Sequence, residues 1–228
     1  MENSLVFNYS EYMDDLNNSE GFYVTPSRDG STLLGGIRPA GEFSGEDRIR
    51  RKAEAAARYA VEEHNNNNKN FENGNRLNFL EIVNLNVEPT AGELYYITLA
   101  AADESSGEVS RYEVKVWEKV NTGYKVQIFR LAPYSIKSSD KVGNGICCVG
   151  VDSLLPWMDE TYLYYKCFYR IRRQLLGLEV KQDIKKGSCK GVLWLKNCAD
   201  SEEILKRYDG KNMPCTNQLY DFDMRNLS

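Results

Sequence analysis

The sequence is poor in the residues and runs that most enzymes and membrane proteins need. It has one histidine, His64, so a two-histidine zinc motif cannot be built, and any histidine-activated nucleophile would have to use that residue. It has no run of about 20 apolar residues that could span a bilayer. Residues 1–10 lack the basic and apolar regions of an export signal. We therefore expect a soluble protein of the cytoplasm or nucleus that is not an enzyme.

Cysteine is present, but not at the spacings of a metal site. All six cysteines lie after residue 146, and no two of them have the CxxC spacing that zinc sites use. Without an export signal, free buried thiols are the expected state, with disulfides or a thiol sensor as alternatives. The adjacent pair Cys147-Cys148 indicates a strand rather than a vicinal disulfide. We expect neither a metal nor a cofactor.

Charge divides the chain into two parts. Residues 1–134 carry seven more acidic than basic side chains, whereas residues 135–228 carry three more basic than acidic ones, for a net charge of -4. Residues 135–145 are rich in turn formers, as a linker is. The pattern predicts an irregular leader over 1–43, a domain over 44–134 and an extension over 135–228. A net acidic chain has no general affinity for nucleic acid or anionic membranes.

The domain is predicted to combine one helix with four strands. Small apolar side chains recur at helical spacing from Asp47 to Glu63, after a candidate hydroxyl cap at Ser44, and the run Asn65–Asn68 predicts a loop. From Leu77 the apolar period changes to two. The predicted strands cover about 77–87, 93–102, 109–119 and 124–131. Short connections join antiparallel neighbours, so the fold class is α+β, with a single helix packed on a four-stranded antiparallel sheet.

The extension is predicted to be a small α+β unit. A helix is expected from Pro156 to Leu176, closed by Gly177, followed by a strand at Val192–Leu195 and a short helix at Glu202–Tyr208. Aromatic residues alternate with arginines in the first helix. Such a pattern can stack bases, but it is more typical of a core stripe beside a charged face, so we do not favour nucleic-acid binding.

Several segments of the domain resemble one family, the plant cystatins. Ala57-Arg58-Tyr59-Ala60-Val61, followed by His64-Asn65, is similar to the family's helix motif, and the family's second and third strands resemble Leu94–Leu99 and Tyr112–Trp117. Plant cystatins inhibit papain-like cysteine proteases and consist of one helix wrapped by an antiparallel sheet. The resemblance covers about residues 33–133. It implies the cystatin fold, a cysteine protease inhibitor, and a structural His64.

Family members plug the protease cleft with three elements, and the resemblance implies where each lies. Gly35-Gly36 corresponds to the N-terminal glycine, although a flexible turn before the helix is the alternative interpretation. The hairpin loop Gln-x-Val-x-Gly corresponds to Glu88-Pro89-Thr90-Ala91-Gly92. The Pro-Trp pair of the last hairpin is replaced by Val120-Asn121.

These replacements imply weakened inhibition. Glu88 brings a charge that would have to be desolvated, and Pro89 removes a donor and fixes a torsion. Loss of an aromatic anchor typically costs about 2 to 4 kcal/mol of binding free energy. The expected partner is therefore a papain-like cysteine protease, bound weakly. The alternative is a non-inhibitory interaction module on a cystatin scaffold, which would bind another protein. The oligomeric state and the role of residues 135–228 stay open.

Overall fold

A computed structural model describes residues 8–27, 33–40, 46–68, 76–141, 146–183, 188–197, 199–214 and 221–223. The chain divides into two compact units, Met1–Ala132 and Pro133–Ser228. Each unit has its own antiparallel sheet. Over the described ranges, no helix has the length and apolar character that a membrane crossing requires.

The first unit packs one long helix on a five-stranded antiparallel sheet, which confirms the predicted fold class. Helix α2 spans Glu46–Asn68, and helix α1, at Tyr9–Ser19, precedes it. The strands, in their order across the sheet, are β1 (Arg38–Pro39), β2 (Leu77–Thr90), β3 (Gly92–Asp103), β4 (Val109–Lys119) and β5 (Gly123–Leu131). The two-residue β1 is a fifth strand beyond the four predicted. Ser44, the predicted cap of α2, lies outside the described residues.

The apolar core of this unit lies between α2 and one face of the sheet. The helix contributes small side chains that are completely buried, namely Ala53, Ala56, Ala57 and Ala60, as its predicted stripe requires. Small residues bring the helix backbone close to the strands. The sheet contributes Tyr95, Ile97 and Leu99, which point to the same face because side chains alternate along a strand.

The run Asn65–Asn68 is helical, so the predicted loop was wrong. Asn65 is buried, and its amide donates to the Leu77 carbonyl at 2.9 Å and accepts from the Leu77 N–H at 2.8 Å. Asparagine is a poor helix former, but these two bonds compensate the burial of the amide and satisfy the first residue of β2. The partner lies 12 residues further along the chain, where local propensity gives no sign of it.

The leader contains the helix α1, so its predicted irregularity was also wrong. The Asn8 side chain caps the helix by accepting from the Glu11 N–H at 3.2 Å. Its buried face consists of Tyr12, Asp15 and Ser19, spaced three and four residues apart. Two of these three side chains are polar, so apolar periodicity does not reveal the helix.

Residues 20–24 cover the second face of the sheet, opposite α2. Phe22 is completely buried and packs edge-on against the Tyr96 ring, with centroids 5.9 Å apart. The side-chain amides of Asn84 and Asn86 donate to the carbonyls of Phe22 and Gly21, each at 2.9 Å. Polar side chains of β2 therefore hold the leader, and this sheet face is closed by the chain itself.

The second unit is a four-stranded sheet with short helical turns. Its strand order is β7 (Leu175–Asp183), β8 (Ser188–Leu195), β6 (Cys147–Leu154) and β9 (Asp221–Asp223). Helix α3 (Glu160–Tyr162) lies between β6 and β7 in sequence, and helix α4 (Ala199–Tyr208) lies between β8 and β9. The predicted strand 192–195 and helix 202–208 fall within β8 and α4, and Cys147-Cys148 begins a strand, as predicted.

The long helix predicted over Pro156–Leu176 was wrong. The chain forms α3, a π-helical turn at Leu163–Cys167 and a 3-10 turn at Tyr169–Ile171, and Gly177 lies inside β7. The consecutive side chains from Tyr162 to Tyr165 are all buried, so this segment is surrounded by core and has no exposed charged face. That burial argues against base stacking on the predicted aromatic stripe.

Part of the predicted linker belongs to the second unit's core. Ile136 of that linker is buried, and so is Tyr134, the last residue of the predicted domain, whose hydroxyl lies 2.8 Å from the Thr161 hydroxyl. The Tyr134 carbonyl also accepts from the Leu178 N–H at 2.9 Å. The neighbouring residues are turn formers, so the sequence pattern predicts a linker and does not indicate that these two large side chains are buried. Residues 142–145 lie outside the described ranges.

Candidate functional site

The strand register brings two hairpin turns to one edge of the first sheet. Thr90 pairs with Gly92 around Ala91, Gly92 pairs with Lys119, and Lys119 pairs with Gly123. The turn between β2 and β3 therefore lies beside the turn between β4 and β5. Antiparallel pairing alone fixes this arrangement.

The N-terminal glycines approach the same edge. Arg38 pairs with Val87 in an antiparallel ladder, so the chain before Arg38 runs beside the chain after Val87. This direction carries Gly35-Gly36 toward Pro89. We call the three adjacent segments Gly35–Gly36, Glu88–Gly92 and Val120–Asn121 the loop edge. By this definition it consists of the nine residues that the sequence predicts to bind: Gly35, Gly36, Glu88, Pro89, Thr90, Ala91, Gly92, Val120 and Asn121.

The glycine segment is a hydrogen-bonded turn. The Gly36 N–H donates to the Leu33 carbonyl at 2.9 Å, and Gly35 has φ of +75°, a conformation that glycine adopts without strain. Leu34, at the tip of this turn, is 100% exposed. The turn therefore exposes an apolar side chain to solvent at the loop edge.

Helix α1 contacts this turn through Tyr12. The Ile37 N–H donates to the Tyr12 hydroxyl oxygen at 2.8 Å, and a Cβ added to Gly36 would lie 2.7 Å from the same oxygen. Burial raises the pKa of Tyr12, and the nearby Glu88 carboxylate also raises it. No sequence pattern indicates this contact, since Tyr12 lies 25 positions from its partner.

The first hairpin turns its charge away from its tip. The Tyr96 hydroxyl donates to the Glu88 carboxylate at 2.8 Å, and Glu88 is half-buried, while Pro89, Thr90 and Ala91 are exposed. Burial, followed by this hydrogen bond, raises the pKa of Tyr96. The charge that the sequence analysis expected at the tip is thus already bound within the unit.

The second hairpin has an apolar but not an aromatic tip. Val120 is 62% exposed, and Asn121 has φ of +64°, which asparagine tolerates better than most residues. The nearest tryptophan in the sequence, Trp117, lies within β4, where the Lys119 ammonium sits 4.9 Å from the centre of its ring. Trp117 is therefore not a substitute for an aromatic side chain at the tip.

A charged cluster fixes the bases of both hairpins to α2. Glu93 and Glu118 pair directly across β3 and β4, and Lys52 of α2 bonds them at 3.3 and 3.1 Å. The Tyr95 hydroxyl lies 2.5 Å from Glu93 and 2.6 Å from Glu118. Burial opposes ionisation of Glu118, but the bonds from Tyr95 and Lys52 outweigh it and hold its pKa below the usual value. No sequence pattern predicts this cluster, because Lys52 and Glu118 are 66 residues apart.

His64 lies far from the loop edge, near the other end of the sheet. Its ring stacks on Phe129 with centroids 4.2 Å apart, and its Nε2 lies 2.9 Å from the Asn68 amide. Burial lowers the pKa of His64. The stacked, partly buried ring serves packing.

The described residues do not assemble a metal site. Over those ranges, no three His, Cys, Asp or Glu side chains are grouped so as to hold an ion. Cys147 and Cys189 are free thiols, and Cys198 and Cys215 lie outside the described residues.

A helix on an antiparallel sheet with three turns at one edge defines a cystatin-type protein. A family model described as "Aspartic acid proteinase inhibitor" matches residues 47–131. A cysteine proteinase inhibitor of Solanum tuberosum is 37% identical over 62 residues, which are 27% of this chain and 91% of that protein. Cysteine proteinase inhibitor A of Helianthus annuus is 39% identical over 69 residues, 30% of this chain and 76% of that protein. The chain belongs to the plant cystatin family.

The relatives also show how far this assignment extends. Cysteine proteinase inhibitor 1 of Oryza sativa subsp. japonica is 33% identical over 93 residues, and the match spans 41% of this chain and 58% of that protein. The residues matched by the family model lie wholly within the first unit. The predicted resemblance is confirmed, and proteinase inhibition, not catalysis, is the activity named for these relatives.

Proposed function

We propose that the chain is a cystatin-type inhibitor that binds papain-like cysteine proteases, weakly, through the loop edge. The observation that carries this proposal is the register that brings Gly35–Gly36, Glu88–Gly92 and Val120–Asn121 side by side. Relatives named as cysteine proteinase inhibitors supply the class of target. The role of residues 133–228 is not part of this proposal.

The loop edge would work by occupying the protease cleft. Turns of two hairpins and a glycine turn form a narrow row, and glycine lets the backbone approach another surface closely. Leu34 and Val120 offer apolar side chains whose burial favours binding. Gly92 supports the row from within, because a Cβ there would collide with the Glu118 carbonyl oxygen. The cluster of Lys52, Glu93 and Glu118 keeps the hairpins in place.

The weakness would arise chiefly at the second hairpin. Loss of an aromatic anchor there corresponds to roughly 30-fold to 1000-fold in affinity, so we expect inhibition constants in the micromolar range. Glu88 contributes less than its charge suggests, since its carboxylate is bound by Tyr96. Pro89 is exposed and restricts the first hairpin.

Two other functions compete with this one. The matched family model is described as an aspartic acid proteinase inhibitor, which favours a test against an aspartic protease. The altered tips of both hairpins favour a non-inhibitory interaction module on the same scaffold. Both alternatives use the fold but not a papain-like cleft.

The test titrates the full chain against papain and against pepsin, up to about 100 μM. The variant Val120→Trp restores an aromatic tip at a position of ordinary φ, whereas tryptophan at Asn121 would be strained. Its matched control is Val109→Trp, because Val109 is 51% exposed at the opposite end of β4. We expect Val120→Trp to tighten papain inhibition at least tenfold and Val109→Trp to leave it unchanged.

Other outcomes decide among the alternatives. Inhibition of pepsin alone would replace papain-like proteases by aspartic proteases as the target. If neither the original chain nor Val120→Trp inhibits either enzyme, the inhibitor proposal is overturned in favour of the interaction module. Equal gains from Val120→Trp and Val109→Trp would show that added apolar surface, and not the loop edge, accounts for the inhibition.

A further inference from the structure

Resting on the proposed function, we propose that Tyr12 is a positioning residue that holds the Gly35–Gly36 turn at the loop edge. The leader helix α1 would then belong to the binding machinery. This assigns a role to residues 8–24 that apolar patterning and the cystatin motifs do not provide.

The direct contact is between the Tyr12 hydroxyl and the turn. Its oxygen accepts a hydrogen bond at 2.8 Å from the N–H of Ile37, which is the residue immediately after the glycine pair. The same oxygen occupies the space that a Cβ on Gly36 would need, at 2.7 Å. The contact with Tyr12 therefore requires glycine at position 36, whether or not this backbone approaches a protease.

The rest of the leader gives Tyr12 a fixed base. Asp15, one turn further along α1, accepts from the Thr25 N–H at 2.8 Å and from its hydroxyl at 2.6 Å. The Ser19 hydroxyl donates to the Tyr23 carbonyl oxygen at 2.8 Å. Phe22 is buried against the sheet. Helix α1 is thus attached to the chain that crosses the second face of the sheet.

The glycine turn needs such a hold because its own strand is short. Strand β1 has two residues, Arg38 and Pro39, and proline has no N–H to donate to β2. The Tyr12 bond adds an anchor one residue before the strand. A segment that is ordered in advance does not lose further conformational freedom when it binds, so preorganisation strengthens binding without any new contact to the partner.

The experiment compares Tyr12→Phe with Tyr9→Phe in the full chain. Tyr12→Phe removes only the hydroxyl, while Tyr9 lies one turn away on the same helix and is 58% exposed. Hydrogen exchange of the Ile37 amide measures directly whether the hydrogen bond to Tyr12 is formed. Papain inhibition measures whether this bond contributes to binding. We expect about tenfold faster Ile37 exchange and about tenfold weaker inhibition in Tyr12→Phe, as loss of one hydrogen bond implies, and no change in Tyr9→Phe.

A double-mutant cycle sharpens the test. Gly36→Ala places a Cβ against the Tyr12 oxygen, so it should accelerate Ile37 exchange strongly in the original chain and much less in Tyr12→Phe, where that oxygen is gone. Equal effects of Gly36→Ala in both backgrounds would overturn the contact. A cycle that closes as expected supports it without reference to any protease.

The outcomes separate this proposal from the proposed function. Unchanged Ile37 exchange in Tyr12→Phe overturns the positioning role, and so does faster exchange with unchanged papain inhibition. If the original chain does not inhibit papain, the proposed function falls and the binding role of Tyr12 falls with it. In that case the exchange cycle still decides whether Tyr12 orders the glycine turn.

Discussion

The two faces of the first sheet are closed by different chemistry. On one face, α2 packs Ala53, Ala56 and Ala60 against apolar strand residues, with hydrophobic burial as the driving force. On the other face, residues 20–24 are held by the amides of Asn84 and Asn86. Apolar packing tolerates small shifts, whereas hydrogen bonds depend on exact partners. Single polar substitutions should therefore detach residues 20–24 from the second face.

The largest effect is expected on the α2 face. Ile97 is completely buried beneath α2, so Ile97→Ala should cost about 4 kcal/mol of unfolding free energy through lost burial and a cavity. Hydrogen exchange of β3 amides measures this loss in the first unit without interference from the second. The control Leu80→Ala, at a half-exposed position of β2, should cost less than about 0.5 kcal/mol. Similar losses in both variants would contradict an apolar core on this face.

The next effect concerns a buried charge on the leader face. Glu113 is completely buried, and Arg130 bonds it at 2.8 Å while also bonding Glu20 of the leader at 3.0 Å. Arg130→Met removes the cation and should cost about 3 kcal/mol, because the buried Glu113 carboxyl loses its ion pair with Arg130. Adding Glu113→Gln should recover part of the loss in urea unfolding. No recovery would mean that Arg130 stabilises by packing alone.

A smaller and more local effect is expected at Asn86. Its amide is buried and donates to the Gly21 carbonyl, so Asn86→Ala should cost about 1.5 kcal/mol. We expect faster hydrogen exchange at residues 20–24 with little change in β3, because the leader opens while the α2 core stays closed. Equal acceleration in β3 would show that the two faces unfold together and would remove the distinction between them.

The smallest effect is a pH dependence on the α2 side. Burial lowers the pKa of His64, so the folded unit favours the neutral ring, and this contribution is lost as pH falls below the usual histidine pKa. Between pH 7 and pH 5 the loss should stay under about 1 kcal/mol, because the ring is partly solvated. His64→Phe keeps the stacking on Phe129 and should flatten this part of the melting-temperature profile. An unchanged profile would assign the pH dependence to other groups.

The same distinction explains what the sequence could predict. The stripe of α2 and the period-two strands are apolar patterns, and they place the elements to within a few residues. Helix α1 was not predicted because the polar residues Asp15 and Ser19 make up most of its buried face. The segment from Tyr162 to Tyr165 was misread because its side chains are buried on every side, which removes any period.

The candidate site was predictable only in its exposed parts. Family motifs indicated the glycine turn and both hairpins, and the register then places them at one edge. The supporting contacts were not predictable, since Tyr12 reaches Ile37 across 25 residues and Lys52 reaches Glu118 across 66. Such pairs arise from tertiary proximity, which neither spacing nor composition encodes.

The two hydrogen bonds between Asn65 and Leu77 have a practical consequence for handling the molecule. They join the end of α2 to the start of β2 irrespective of the length of chain between them. The entropy cost of closing a loop grows slowly with its length, by about 0.6 kcal/mol for each doubling. Strand β2 has 14 residues, so its start lies roughly 40 Å from the loop edge at the other end. An affinity peptide inserted between residues 69 and 75 should therefore immobilise the protein with its proposed binding surface unobstructed.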